Sequence, residues 1–98
     1  MFAQISHYQI KPGDRQKCID LLIQLKPQIM ALSGLKQFTN IIKDDDSGYV
    51  IALIESKEQS KLNEPKVTAF WAAFSDYLTK LQAIEFHDVL ADWRVSGP

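Results

Sequence analysis

The chain has 98 residues, of which 46% are hydrophobic and 23% are charged, and its formal net charge is −1. This length and composition are typical of one soluble globular domain, spanning residues 1–98. The near-neutral charge excludes a strong global attraction to nucleic acid or to an anionic membrane surface. The longest apolar run, 49–54, is far shorter than the roughly 20 residues of a membrane-spanning helix.

The sequence contains no recognisable signal for secretion, for an intrachain disulfide or for a metal site. The amino-terminal residues lack the basic region and the long apolar stretch of a signal peptide, so we expect a cytoplasmic location. Cys18 is the single cysteine, which excludes an intrachain disulfide and a cysteine-cluster metal site. The acidic run 44–46 lacks the spaced ligands of an EF-hand loop, and no common nucleotide or zinc motif occurs. We therefore expect neither a metal nor an organic cofactor.

The first third of the chain reads as a strand followed by a helix. Residues 2–10 mix β-formers with polar residues and end at a Pro-Gly turn, which predicts a strand. Asp14 is a suitable N-cap for an amphipathic helix whose apolar positions recur every three or four residues, and Gly34 suits its carboxyl end. Pro27 lies inside this helix and predicts a kink or local break.

The middle of the chain predicts a hairpin and a second helix. Residues 35–43 and 49–54 are rich in β-formers and flank an acidic, glycine-ended turn, so we expect two antiparallel strands. Pro65 is suited to the first turn of a helix. From there to Leu81 the apolar residues keep a helical spacing, with several aromatic side chains on the stripe.

A fourth strand completes the order of elements. Residues 83–95 alternate enough apolar side chains for a long strand, with a possible bulge near Asp88. The resulting order, β-α-β-β-α-β, is that of the ferredoxin-like split βαβ arrangement, an α+β fold. It has a four-stranded antiparallel sheet with both helices on one face, because both crossovers are right-handed.

The strand pattern predicts a homodimer. The third strand is apolar at both parities, with Ile51 and Leu53 on one side and Val50, Ala52 and Ile54 on the other. Two helices cover only one face of a sheet, so the second face needs another cover. The same face of a second copy, related by a two-fold axis, is the simplest one.

At this point the chain resembles a known group. Lys11-Pro12-Gly13 opens a helix that ends near Ser33-Gly34-Leu35, and a hairpin and an aromatic second helix follow. This pattern is similar to the dimeric α/β-barrel proteins, and most of all to the antibiotic biosynthesis monooxygenase family. The resemblance implies a dimeric barrel and oxidation of a small planar phenol or quinol without a cofactor. Members of the haem-degrading branch carry a histidine on helix two; here that position falls on Phe74, which argues against haem degradation.

Cofactor-free oxidation of a phenol needs a base, donors for the oxyanion and a dry cavity, which defines the candidate residues. His7 and His87 are the candidate catalytic bases, because histidine titrates near neutral pH. Their structural alternative is a hydrogen-bonded histidine of the core or the interface.

The candidate pocket residues are aromatic. Trp71, Phe74 and Tyr77 would wall the substrate, and their alternative is ordinary core packing. Tyr8 and Tyr49 would donate to the oxyanion, and their alternative is a strand tyrosine with its hydroxyl at the rim of the sheet.

Two hypotheses of function follow. The first is a monooxygenase of the antibiotic biosynthesis type, acting on a small planar phenol or quinol. The alternative is a non-catalytic dimeric α/β-barrel protein that binds a small apolar ligand. A cavity between sheet and helices in which polar groups converge would favour the first, whereas a filled interior would leave no room for a substrate.

Overall fold

The computed structural model describes residues 1–81 and 84–96. The first five predicted elements appear in the predicted order. The end of the predicted second helix forms one short strand, and part of the predicted last strand forms another. In chain order the elements are β1 Phe2–Ile10, α1 Arg15–Met30, β2 Leu35–Ile42, β3 Ser47–Ile54, α2 Lys57–Phe74, a 3-10 turn Ser75–Tyr77, β4 Leu78–Leu81 and β5 Glu85–Asp88.

The strands form one open antiparallel sheet in the order β2-β3-β1-β4, with β5 also paired to β1. This is the ferredoxin-like arrangement, so the predicted fold class is confirmed. β1 is the central strand: β3 pairs along one side of it, while β4 and β5 share the other side. The sheet therefore has five strands instead of four, and it does not close into a barrel within one chain.

The predicted fourth strand, 83–95, is wrong in its extent. Its predicted first residue, Ala83, lies outside the described residues, β5 covers only Glu85–Asp88, and residues 89–96 form no strand. The physical reason is the length of β1. β4 pairs with the carboxyl end of β1 and β5 with its amino end, and the last backbone hydrogen bond runs from Val89 N to Met1 O. Beyond that bond the chain has no strand left to pair with.

The predicted second helix is wrong at both ends. α2 begins at Lys57, where the Ser56 hydroxyl accepts a hydrogen bond from Gln59 N and caps the first turn. Pro65 lies inside α2 instead of opening it, and the helix ends at Phe74. Leu78 and Leu81, which the helical spacing assigns to the apolar stripe of the helix, belong to β4. A short strand and a last helical turn share this pattern, so the pairing with β1 decides between them.

The first helix and the hairpin follow the prediction more closely. α1 runs through Pro27 as one helix, so no break occurs there. The hairpin turn is closed by the bond from Lys43 N to Ser47 O, and β3 begins at Ser47, two residues earlier than predicted. Asp46 takes the left-handed conformation, with φ of 64°. Two hydrogen bonds from Ser47 to the Asp45 carboxylate lower the pKa of that carboxyl below its ordinary value.

The two faces of the sheet differ in what covers them. The helices lie over the even-numbered residues of β1 and β3, which are buried, such as Ile10, Val50 and Ile54. We call the other side the open face; its residues on the central strands are Ala3, Ile5, His7, Gln9, Tyr49, Ile51 and Leu53. Both faces of β3 are apolar, as the sequence indicates. Within the described residues, no helix is long and apolar enough to cross a membrane.

Candidate functional site

A cavity of about 240 Å³ lies between the sheet and the two helices. Its floor consists of side chains from β1, β2 and β3, and its roof consists of side chains from α1 and α2. An engineered cavity of about 150 Å³ in another protein holds benzene, so the space here has room for two fused rings. The interior is therefore not filled by its own Phe and Leu side chains.

The floor of the cavity is polar along β1. Gln4, Ser6 and Tyr8 alternate on the helix-facing side of this central strand and are 7%, 2% and 9% exposed. A central strand facing a helix layer normally presents apolar side chains, because a buried polar group costs free energy unless it is hydrogen-bonded. This row is therefore a departure from ordinary core composition at the place where a ligand would lie.

The best-defined polar contact of the floor joins Tyr8 to Asn40 on β2. The Tyr8 hydroxyl donates to Asn40 Oδ1 at 2.5 Å. Burial raises the pKa of the Tyr8 phenol above its ordinary value of 10.0, and the nearby Cys18 thiol adds to this effect. Arg15 and the bond to Asn40 oppose the shift without cancelling it. Tyr8 is therefore a neutral phenol at neutral pH, suited to hydrogen bonding and unsuited to accepting a proton.

The roof of the cavity is aromatic. Trp71 and Phe74, on the inner face of α2, have ring centroids 6.3 Å apart, and Trp71 lies 6.1 Å from the ring of Tyr8. Cys18 reaches the same space from α1; burial raises the pKa of its thiol, and the carboxylates of Asp14 and Asp46 add to this effect. These walls would favour a flat apolar ring, since aromatic rings pack well edge to face or offset against one another.

A second, wider groove of about 730 Å³ adjoins the cavity. Gln4 and Val67 line both spaces, so they stand where one meets the other. Phe2 and Phe86, stacked with ring centroids 5.9 Å apart, form the apolar side of the groove, and Lys57 and Lys61 lie on its α2 side. The groove offers a route by which a ligand could reach the cavity.

The two candidate bases lie together, but on the open face. Glu85 on β5 joins them: its Oε2 is 3.2 Å from His7 Nε2 and its Oε1 is 3.4 Å from His87 Nε2. The sheet separates these histidines from the cavity. His87 pairs with Ala3, four residues along β1 from His7, so about 13 Å separates their positions along the strand. Only their shared contact with Glu85 brings the two imidazoles together, and no metal-binding group of three residues occurs among residues 1–81 and 84–96.

The candidate pocket residues divide between the two faces. Tyr8, Trp71 and Phe74 line the cavity. Tyr49 lies on the open face, with its ring centroid 5.7 Å from that of His7. Tyr77 belongs to the 3-10 turn and packs beside the core cluster, outside the cavity lining.

Sequence reasoning missed three polar residues of the floor. Gln4 and Ser6 share the parity of Tyr8, and this polar row in the first strand was the available signal for them. Asn40 carried no comparable signal, because an exposed asparagine in a hairpin strand is unremarkable until its neighbour across the sheet is known.

Comparison with solved structures identifies the class of fold. No protein-family profile matches the chain, and no curated protein matches it by sequence. A candidate antibiotic biosynthesis monooxygenase from Deinococcus radiodurans superimposes with a TM-score of 0.78 at 12% identity, over 99% of this chain and 100% of that one. A second, from Chloroflexus aurantiacus, gives 0.73 at 17% identity, over 97% and 98%. A protein of unknown function from Nitrosomonas europaea gives 0.78 at 19%, over 98% and 95%.

The chain thus has the fold of the antibiotic biosynthesis monooxygenase proteins over nearly its whole length. The resemblance that the sequence indicates is confirmed at the level of the fold. At these identities the likeness concerns the fold alone, because one scaffold of this kind hosts different chemistries.

Proposed function

We propose that the protein is a cofactor-independent monooxygenase that oxidises a small planar phenol or quinol bound in the cavity. The observation that carries the proposal is the cavity itself: about 240 Å³ of mainly apolar space, with aromatic side chains in its roof and a row of polar side chains on β1 in its floor. A pocket of mainly apolar walls with a few convergent polar groups is the usual form of a small-molecule site. Its fold is that of proteins named as monooxygenases, which supports the same class of reaction.

The proposed reaction takes its electrons from the substrate. A phenol with a free para position, such as 1-naphthol, reacts with one O₂; one oxygen atom enters the ring as the new carbonyl and the other leaves as water. The substrate loses its hydroxyl hydrogen and the hydrogen of the para carbon, both of which end in the water, and becomes 1,4-naphthoquinone, so atoms and electrons balance without an external reductant.

The floor of the cavity would assist this reaction by stabilising the phenolate. Tyr8 occupies Asn40 Oδ1, which leaves the Asn40 amide hydrogens to donate to a substrate oxygen. Tyr8 and Cys18 both have raised pKa values and hold their protons at neutral pH, so neither serves as the base. Water entering along the groove would take the substrate proton. A catalytic part for His7 and His87 stays a prediction, and from the open face it would not involve contact with a substrate in the cavity.

Oxygen uptake with 1-naphthol tests the proposal. Wild-type protein should consume one O₂ per naphthoquinone formed, and label from ¹⁸O₂ should appear in the quinone. Asn40→Ala should lower the rate at least about tenfold, since a single oxyanion donor contributes that much or more. Trp71→Ala should also lower the rate, because it removes an aromatic wall against which the ring packs. His7→Ala and His87→Ala separate this proposal from the prediction that the two histidines are the bases: both variants retain activity if the residues of the cavity alone carry the reaction. Loss of uptake in the histidine variants alone would move the chemistry to the open face.

The same experiment also tests the alternative function, a non-catalytic protein that binds a small ligand. Binding of naphthol with no oxygen uptake would indicate the non-catalytic ligand-binding protein. The cavity contains no histidine or carboxylate among its lining residues in the described part of the chain, which is the observation that favours this alternative.

We also propose that the protein is a homodimer, joined through the open face, and that it works in the cytoplasm. Ile51 on β3 and Ile41 on β2 present apolar side chains there, and Ile41 is 37% exposed. Beyond β5, the side chains of Leu90, Trp93 and Val95 are almost completely exposed. So much apolar surface on a small chain is typical of an interaction site, and a second copy would cover it.

A further inference from the structure

The side chain of Ser6 is buried, and its hydroxyl has no hydrogen-bond partner among the described residues. Ser6 is 2% exposed, lines the cavity and has no side-chain hydrogen bond to any residue of 1–81 or 84–96. No fully enclosed polar side-chain atom in this part of the chain lacks a partner, so the hydroxyl must open onto the cavity. A hydroxyl taken from water without a partner costs about 1–3 kcal/mol. A ligand group in the cavity would remove that cost.

Gln4 is in a related position two residues earlier. It is 7% exposed, its Oε1 receives only a long bond of 3.4 Å from the Ser60 hydroxyl, and its amide nitrogen has no partner among the described residues. Residues i and i+2 of a strand point to the same side, about 7 Å apart. Gln4 and Ser6 therefore offer two hydrogen-bonding groups in a line along the floor.

We propose that Gln4 and Ser6 determine specificity by binding two oxygen substituents on one long edge of the ligand. The ligand class is then a two-ring aromatic whose oxygens share one edge, because the opposite edge would meet Trp71 and Phe74. The proposal rests on the proposed function only in using the same cavity; it requires binding and not oxidation. The proposal predicts different affinities for two isomers: 2,7-dihydroxynaphthalene has both oxygens on one long edge, whereas the 2,6 isomer has them on opposite edges.

Titration of the full chain with the two isomers and with naphthalene, followed by calorimetry, tests this. Wild-type protein should bind the 2,7 isomer about tenfold more tightly than the 2,6 isomer, which corresponds to one good hydrogen bond. Ser6→Ala should abolish that preference and leave naphthalene affinity unchanged, and Gln4→Met should reduce the preference. Thr39→Ala, on the open face of β2, is the control and should change nothing.

Folding stability provides a readout that a structural role would not give. Ser6→Ala should unfold at the same or higher denaturant concentration than wild type, because it removes an unpartnered buried hydroxyl. Equal affinity for the two isomers, a preference that survives Ser6→Ala, or no binding of any of the three compounds would each overturn the inference. A retained preference for the 2,7 isomer without oxygen uptake from 1-naphthol would contradict the proposed oxidation and leave this inference standing.

Discussion

The ring of Tyr8 lies against the backbone of Gly48, its partner across β1 and β3. A methyl group at Gly48 would overlap the Tyr8 hydroxyl and the backbone carbonyl of Ile41. The absence of a side chain at this one position of β3 therefore lets Tyr8 reach across the sheet to Asn40. The polar floor of the cavity depends on a glycine in the neighbouring strand.

Gly48→Ala should disturb the cavity floor. We expect a loss of about 1–3 kcal/mol in the free energy of unfolding, the usual cost of overpacking, because Tyr8 and β2 must both shift. Naphthol affinity should fall with it. Denaturant unfolding and ligand titration measure the two effects. Gly13→Ala is the comparison: its added methyl meets nothing within 4 Å, and its cost comes from a φ of 84°. A Gly48→Ala variant with unchanged naphthol affinity would contradict the dependence of the floor on this glycine.

Tyr8→Phe should flatten the alkaline side of the stability profile. The pKa of Tyr8 is raised in the folded protein, so its contribution to stability is complete below about pH 10 and is lost as pH rises through the folded value. The slope from one such group is at most about 1.4 kcal/mol per pH unit.

Denaturant unfolding between pH 8 and pH 11 gives that slope. Tyr49→Phe, which removes a phenol from the open face, is the control. Equal flattening in both variants would show that burial of Tyr8 is not the cause.

Asn63→Ala should destabilise the fold strongly. Asn63 is 2% exposed and holds the connection between α1 and β2: its Oδ1 accepts from Ser33 N at 2.9 Å and its Nδ2 donates to Ser33 O at 2.8 Å. Removing the amide leaves both backbone groups of Ser33 without these bonds, at a cost of about 2–4 kcal/mol. Chemical denaturation measures the loss. Gln16→Ala is the comparison, since the Gln16 amide is exposed and bonds only to the Asp20 carboxylate on the surface of α1, and a similar loss in both variants would contradict the argument from burial.

Ile51→Lys should weaken association without unfolding the chain. Ile51 points to the open face, so a charge there would have to be buried between two copies. Light scattering after size exclusion should give a dimer mass for wild type and a monomer mass for the variant at micromolar concentration. Ile23→Lys, on the exposed side of α1 at 66% exposure, is the control and should remain dimeric.

A lysine on the helix-covered face of β3, at Val50, should lower the folding stability of the chain and not its association. Val50 is 8% exposed and faces the helices, so Val50→Lys should unfold at a much lower denaturant concentration. A stable, dimeric Ile51→Lys variant would contradict the proposed interface, and a stable Val50→Lys variant would contradict the burial of that face.

Local sequence patterns determined which elements form and in what order. The period of apolar residues identified α1, the acidic turn identified the hairpin, and the two-sided apolar pattern of Ile51 and Val50 identified β3 as a strand with two apolar faces. These features depend on neighbours within a few residues, so they can be read from the chain directly. The order of elements then restricted the topology to the ferredoxin-like arrangement.

Only the tertiary structure decided what those faces meet. The partners of β1 determined that the last strand ends at Asp88, and the sheet between them separated His7 from Trp71. The cavity depends on the volumes of side chains from several elements far apart in the sequence, which no local pattern records. The sequence alone therefore determined the scaffold and the parity of each strand. Three-dimensional packing decided that the polar row of β1 faces the cavity and that the two histidines lie on the opposite side of the sheet. The parity of a strand determines that neighbouring side chains point in opposite directions, but it does not determine what lies on either side.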